Sequence, residues 1–499
     1  MDKRHRKSYE KALENIRNKE TTKAIERLEE ISKSYPVFYD ARYKLGWQYL
    51  KLDSLEKAMH EFSSIYELTP APDPKLALQL AELHEHFRQY DEAIDCIERL
   101  VQSLHPSDRI YQAIDRRFTE LKFRKKAYTE PLDITIITLD SNINGPHGDY
   151  LPALNADGSI MIFTKRLPMG EQHLFTRVQE DLYMSYRNEE GEFLKAFPVK
   201  EINTMENEGA HCFSQDGRIL IFTACNRNRN KNGCDLYISF NKDGVWSRPR
   251  NMGPEVNSPA WESQPSLSPD NKTLYFSSTR KGGYGKRDIW KVELLANGWS
   301  QAQNLGPVIN SRGNESSPFI HADNETLYFR SDEHLGMGDY DIFLSKKTKD
   351  TWSKPINLGY PINTSANEGA LFIELDGTTA YYSSDTHSPD NLDILSFEMP
   401  EHLRPKKVSY LKVKVSDAET SVPLATKIKL SEVADSLNTK TLTSDINGEA
   451  VSVLQTAEYL VNVNKQGYIF YSNNFKLADS TDLDKPTILD ISLEPVSNI

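Results

Sequence analysis

The chain has 499 residues, 38% of them apolar, with four cysteines and a formal net charge of -12 at pH 7. That length suffices for about three domains. Mean hydropathy is -0.60, and no apolar run approaches the ~18 residues of a membrane-spanning helix. The acidic balance disfavours nucleic acid, whose phosphates call for clustered excess Lys and Arg.

The opening "MDKRHRKSYEKAL" is basic but has no apolar segment behind it, so it is not a secretory signal. Residues 1–127 carry a helical repeat. Ala24, Ala58 and Ala93 recur 34 and 35 residues apart, each inside a helical pattern such as "LEKAMHEFSSIYELTP", and Pro36, Pro70 and Pro106 close these segments. Gly46 and Ala81 lie on the preceding helices, small residues where two helices must approach closely. A 34-residue helix–turn–helix period is that of tetratricopeptide repeats, an α-solenoid, with proline stopping each second helix. A last helix near Asp108–Lys126 is expected to cap the array. Such arrays offer a groove to a peptide or partner helix; a plain spacer is the alternative.

Residues 132–399 carry a longer repeat, five copies at a period near 50. An Asn recurs at Asn144, Asn203, Asn257, Asn310 and Asn363. A carboxylate follows five residues later, at Asp149, Glu208, Glu262, Glu315 and Glu368. An Asp then opens a tight turn at Asp157, Asp216, Asp270, Asp323 and Asp376. Strand-like content at this period predicts a β-propeller, one four-stranded blade per copy. A further Asp opens the third strand at Asp181, Asp235, Asp288, Asp341 and Asp393, and Trp246, Trp299 and Trp352 mark a Trp-Ser strand before the next Asn. The fifth copy stops at Phe397 without that strand. Ile134–Leu139, just before Asn144, is expected to supply it, closing a five-bladed ring and removing its open edge.

Residues present in every copy read as scaffold. The turn Asp bonds its own backbone, and the Asn and carboxylate satisfy backbone groups where the chain crosses between blades. A binding site breaks the repeat. The loop after the second strand is basic in three copies: Lys165, Arg166 and Arg177; Arg227, Arg229 and Lys231; Arg280, Lys281, Lys286 and Arg287. In the last two it carries Asp332, Glu333, Asp339, Asp385 and Asp390. These loops share one face, so the cations form a candidate positive sector for an anionic partner, with ordinary solvated charge as the alternative. Cys225 and Cys234 bracket the loop "NRNRNKNG", a candidate disulfide if their Cα atoms come within about 7 Å; small buried hydrophobes are the other reading. The cysteine spacing fits no zinc pattern, and no cofactor is expected.

Residues 406–497 switch to short alternating strands, with Asn447-Gly448 as a tight-turn signal, and predict a small β-sandwich. The fold class is thus multidomain, α followed by all-β.

The repeat "SPDNKTLYFSSTRKGGYGKRDIW" resembles the PD-type, WD-like propeller repeat shared by TolB-like proteins. The order helical repeats, propeller, sandwich resembles the Bacteroidetes outer-membrane lipoproteins typified by PorE of the type IX secretion system. Their sandwich is a carboxypeptidase-regulatory-like domain, matched here by "SDAETSVPLATKIKL", "SDINGEA" and "YLVNVNKQGY". The resemblance spans almost the whole chain. Members begin at a lipid-modified Cys behind a signal peptide and end in an OmpA-like domain whose Asp and Arg grip peptidoglycan. No Cys precedes Cys96, and the sequence stops at "SLEPVSNI", so a chain trimmed at both ends is expected. Peptidoglycan binding and membrane anchoring would belong to the absent parts.

The resemblance implies a non-catalytic scaffold at the periplasmic face of the outer membrane, binding protein partners of a secretion or gliding machine. A TolB-like partner-binding protein outside type IX secretion is the alternative. A propeller glycosidase is the third reading, since "SQDGRIL" resembles the Ser-x-Asp-x-Gly box of sialidases. That chemistry needs an arginine cluster with a Tyr–Glu pair at the funnel centre, and no such set stands out along the sequence. GxSxG and HExxH are both missing.

Overall fold

The computed structural model describes residues 2–68, 73–168, 178–227, 233–386, 391–435, 439–454, 457–477 and 487–496. Two compact units divide the chain, Met1–Glu130 and Pro131–Ile499.

The first unit is a run of seven α-helices, tetratricopeptide-like in order: α1 (Lys3–Arg17), α2 (Thr21–Ser34), α3 (Tyr39–Lys51), α4 (Leu55–Tyr66), α5 (Pro74–His86), α6 (Tyr90–Ser103) and α7 (Tyr111–Thr129). Each packs against the next. The repeated Ala24, Ala58 and Ala93 are fully buried, because a larger side chain would hold the helices apart. Gly46 shows the same constraint: a Cβ there would lie 2.5 Å from the Phe62 ring, so α3 and α4 can close only over a glycine. The last helix, α7, buries only Ile114 and Leu121, as suits a terminal helix with one covered face.

In the second unit, five antiparallel sheets follow one another. Their first three strands are Asp149–Leu154, Ile160–Pro168 and Val178–Tyr186 in sheet 1; Glu208–Phe213, Ile219–Cys225 and Cys234–Lys242 in sheet 2; and Glu262–Leu267, Thr273–Ser278 and Asp288–Leu295 in sheet 3. Sheet 4 has Glu315–Ile320, Thr326–Ser331 and Asp341–Thr348, and sheet 5 has Glu368–Ile373, Thr379–Ser384 and Asp393–Glu398. The first strand of each sheet packs against the first strands of two others, and that of sheet 5 meets that of sheet 1, so the series returns on itself. Alternation puts Phe163, Phe222, Phe276, Phe329 and Tyr382 between sheets, all nearly fully buried.

Sheet 5 takes its outer strand from the beginning of the unit: Ile137 and Thr138 pair with Ser396 and Leu395. The ladder is shorter than the six-residue strand expected at Ile134–Leu139. Ile134 and Ile136 instead pack against the core around Leu358 and Met399. Every first strand carries a bulge at the same place, with Leu151, Ala210, Gln264, Ser317 and Ala370 at φ of 58°, 41°, 55°, 48° and 50°. Non-glycine residues hold this left-handed conformation only where the surroundings over-determine it, and here the ladders on both sides of the bulge do so.

A sandwich of two further sheets completes the unit. One holds Glu449–Leu454, Ser409–Asp417 and Thr487–Leu493; the other holds Thr439–Thr443, Lys427–Glu432, Glu458–Val463 and Tyr471–Lys476. It lies against the end of the five-sheet series that bears the Asp turns. Val408 and Val453 pack on Ala322, and the Lys406 backbone N–H donates to Asp323 at 2.9 Å. The opposite end, where the chain steps from sheet to sheet, carries the candidate loops.

Candidate functional site

At each step the Asn side chain acts as a strand partner. Asn310 Oδ1 accepts from the Ile289 N–H at 2.8 Å while its Nδ2 donates to the Ile289 carbonyl at 3.0 Å. Asn144 does this to Ile394, Asn203 to Leu182, Asn257 to Leu236 and Asn363 to Ile342. The carboxylate five residues on accepts from the backbone N–H of the residue after the Asn: Gly145, Thr204, Ser258, Ser311 and Thr364. In four copies it also accepts that residue's hydroxyl. The turn Asp accepts from the backbone N–H two residues later in all five. These groups bond within the scaffold in every copy.

All five joint carboxylates are fully buried. Burial pushes Asp149, Glu208, Glu315 and Glu368 above the usual carboxylate range. Three meet a cation. Lys165 Nζ lies 2.5 Å from Asp149, Arg227 Nε 2.8 Å from Glu208, and Arg280 Nη2 3.2 Å from Glu262. Glu315 accepts the Ser311 and Ser331 hydroxyls instead. Glu368 faces the like charges of Asp341 and Asp385 and is pushed up to about 7.

This changes the reading of the basic loops. Lys165, Arg227 and Arg280 are at most 16% exposed and are held inward as counter-ions, because a buried carboxylate is costly without one. Arg166 is half-buried beside Glu180, 3.6 Å away, with Tyr150 next to it. Arg287 lies over Trp261, and Lys281 and Lys286 are exposed. Arg177, Arg229, Lys231 and Asp390 lie outside the described residues. On the acidic side, Asp332 and Asp385 are bonded to Asn314 and Asn367. Cys225 and Cys234 are joined by a disulfide with Cα atoms 4.0 Å apart; Cys96 and Cys212 are free.

Between the first strands runs a narrow channel lined by Leu151, His211, Gln264, Ser317 and Ala370, with about 50 Å³ of free volume, room for a few waters and not for a sugar ring. Neither ring nitrogen of His211 has a partner, and burial pushes its pKa down to about 3, so it is neutral. Sequence reasoning missed Arg330, Trp261, Tyr340 and the approach of Tyr150 to Glu180. Arg330 could have been found as the one cation in a register position that is Thr or Ser in the other four copies.

Among the described residues no group of three or more His, Cys, Asp and Glu could hold a metal, and no helix is long and apolar enough to cross a membrane.

No family model matches the chain, and no curated protein matches it in sequence. Among solved structures, the MamA protein aligns at 14% identity over 24% of this chain and 63% of its own, with a TM-score of 0.22. PilF of Pseudomonas aeruginosa aligns at 22% over 25% of this chain and 54% of its own, with a TM-score of 0.20. The chain therefore spans less than two thirds of either. An α-L-arabinofuranosidase from Podospora anserina, in complex with cellotriose, aligns at 9% over 53% and 95%, with a TM-score of 0.35. Likenesses this faint carry no argument about activity.

Proposed function

We propose that this chain is a non-catalytic scaffold of the cell envelope, whose five sheets are the blades of a five-bladed β-propeller. In this reading residues 1–127 are tetratricopeptide repeats and residues 406–497 a carboxypeptidase-regulatory-like sandwich. The partners are proteins of a secretion or gliding machine, of the kind that serves type IX secretion, met at the periplasmic face of the outer membrane. The observation that carries it is how the repeated polar groups are used. The joint Asn, the joint carboxylate and the turn Asp are occupied by the scaffold in every copy, which leaves the copy-specific cations Arg166, Lys281, Lys286 and Arg287 for recognition. The Cys225–Cys234 disulfide supports an oxidising compartment.

Capture of partners from an envelope extract tests this. Reversing Lys281 and Lys286 to Glu should weaken capture, and rising salt should weaken it further as screening shortens the reach of exposed charge. Deleting residues 1–127 examines the helical groove separately. If neither change alters what is captured, the scaffold reading fails. Capture that excludes secretion and gliding proteins would favour a TolB-like role outside type IX secretion.

A glycosidase is the third reading, favoured by Tyr150, Glu180 and Arg166 standing together. Against it, burial and the charge of Glu180 hold the Tyr150 phenol well above its ordinary pKa, the reverse of an activated nucleophile. Turnover of a chromogenic glycoside would establish it.

A further inference from the structure

The second residues of the five first strands, Tyr150, Gly209, Ser263, Ser316 and Gly369, stand at the rim of the narrow channel, at the end away from the sandwich. Opposite them on the second strands are Thr164, Thr223, Ser277, Arg330 and Ser383. Four are small and hydroxylated; sheet 4 alone has an arginine. Arg330 Nε donates to Ser316 Oγ at 2.8 Å, and its guanidinium lies 4.4 Å from the centre of the Tyr340 ring. A Cβ on Gly369 would come within 2.8 Å of Arg330 Nη1, so the neighbouring sheet leaves space for this side chain and for nothing larger than glycine beneath it.

Arg287 stands beside it, in the position before the repeated third-strand Asp, with its guanidinium 4.4 Å from the Trp261 ring centre. Its Nε is buried and has no hydrogen-bond partner. Among the described residues neither arginine has a carboxylate within ion-pairing distance. Burial, and after Tyr340 the like charge of Arg287, act on Arg330, whose pKa is lowered to about 10. Asp332 is the acid whose charge reaches it, and that carboxylate already accepts two hydrogen bonds from Asn314. Two neighbouring, half-buried guanidinium groups with no directly paired carboxylate are unfavourable. The same chain supplies internal carboxylates to Lys165, Arg227 and Arg280, so the omission here is specific.

We propose that Arg330 and Arg287 form a recognition site for a carboxylate group carried by a ligand that docks at this rim. The planar forks of two guanidinium groups match a carboxylate in a bidentate fashion, and Trp261, Tyr340 and Tyr150 supply flat walls for the group that bears it. Asp332 nearby holds the positive excess down, which suits a singly charged anion over a phosphate. The carboxylate has two sources, an acidic side chain of a protein or a sugar acid, and the site chemistry is the same for both. The proposal rests on the sheet geometry and stands without the scaffold reading.

Calorimetric titration of the full chain tests it, with three probes: a capped Ala-Glu-Ala-Glu peptide, its Ala-Gln-Ala-Gln isostere, and glucuronate. A carboxylate probe should bind at least ~10-fold more tightly than the amide isostere. Arg330→Met and Arg287→Gln should each weaken that binding about 10-fold or more, while Lys354→Gln, at an exposed lysine on the outer edge of sheet 4, leaves it within about 2-fold. Arg330→Met should melt at the wild-type temperature or above, because it removes an unpaired charge. Binding of the glutamate peptide identifies a protein as the source; binding of glucuronate alone identifies a sugar acid. No binding by either probe, wild-type affinity in Arg330→Met, or a melt of that variant several degrees lower would each overturn the proposal, the last by making Arg330 a structural strut. Intact carboxylate binding with no partner captured from envelope extract would fail the scaffold reading alone.

Discussion

Arg187 and Glu374 tie the first sheet to the last, with Nη2 2.9 Å from Oε1 across 187 residues of sequence. The same Nη2 donates to the Tyr381 hydroxyl at 2.5 Å, which in turn donates to Glu374 at 3.0 Å. Phe193 covers the guanidinium at 4.6 Å. Both charged groups are mostly buried, so the triangle is closed.

Removing one corner should expose its cost. Arg187→Ala leaves Tyr381 without its donor and Glu374 with only the Tyr381 hydroxyl, and should lower the unfolding free energy by about 3 kcal/mol, read from urea titrations. A double-mutant cycle with Glu374→Gln should show coupling above ~1 kcal/mol. Additive losses would mean that the pair does not act as a seam.

The joint asparagines allow a sharper comparison. Asn310→Ala orphans the N–H of buried Ile289 and removes one of two donors to its carbonyl, which keeps the Leu305 N–H, and should cost about 1–3 kcal/mol. Asn310→Asp keeps the acceptor but loses the donor and should cost more near neutral pH, where a buried carboxylate adds its own penalty. Equal urea midpoints for the wild type and Asn310→Ala would exclude the strand-partner role.

Glu368 predicts a pH dependence with a definite sign. Its folded pKa of about 7 lies above the ordinary value of 4.5, so between those values the native state binds more protons than the unfolded chain. Its stabilising contribution is complete below pH ~4.5 and is lost as pH rises through about 7. Glu368→Gln should flatten the stability profile across that window and raise the melting temperature at pH 8 by several degrees, the amide still accepting from the Thr364 N–H. A parallel profile for wild type and variant would contradict the assignment.

The four cysteines should react in an order set by burial. Burial pushes both free thiols, Cys96 and Cys212, up to about 12, so native protein should resist alkylation. Denaturation without reductant should release only Cys96 and Cys212, and reductant should add Cys225 and Cys234. Mass spectrometry of a non-reduced digest should find the peptides of Cys225 and Cys234 linked; two further free thiols would refute the bridge.

The helical period, the five-copy repeat and the landmark spacing were all legible in the sequence, because turn chemistry and strand alternation are local and recur at each copy. Asp157 and its four equivalents each accept the N–H two residues on, so the Asp-Gly or Asp-Asn turn carries its own explanation. Whether a cation is displayed or withdrawn was not legible. Lys165, Arg227 and Arg280 look like surface charge along the chain, and only the folded sheets bring them onto buried Asp149, Glu208 and Glu262. Arg330, Arg287, Trp261 and Tyr340 come from separate strands and converge only when the sheets close on one another. The physical reason is that the free energy of a charge depends on its burial and its neighbours in space, and both are set by tertiary packing across distances no sequence period records.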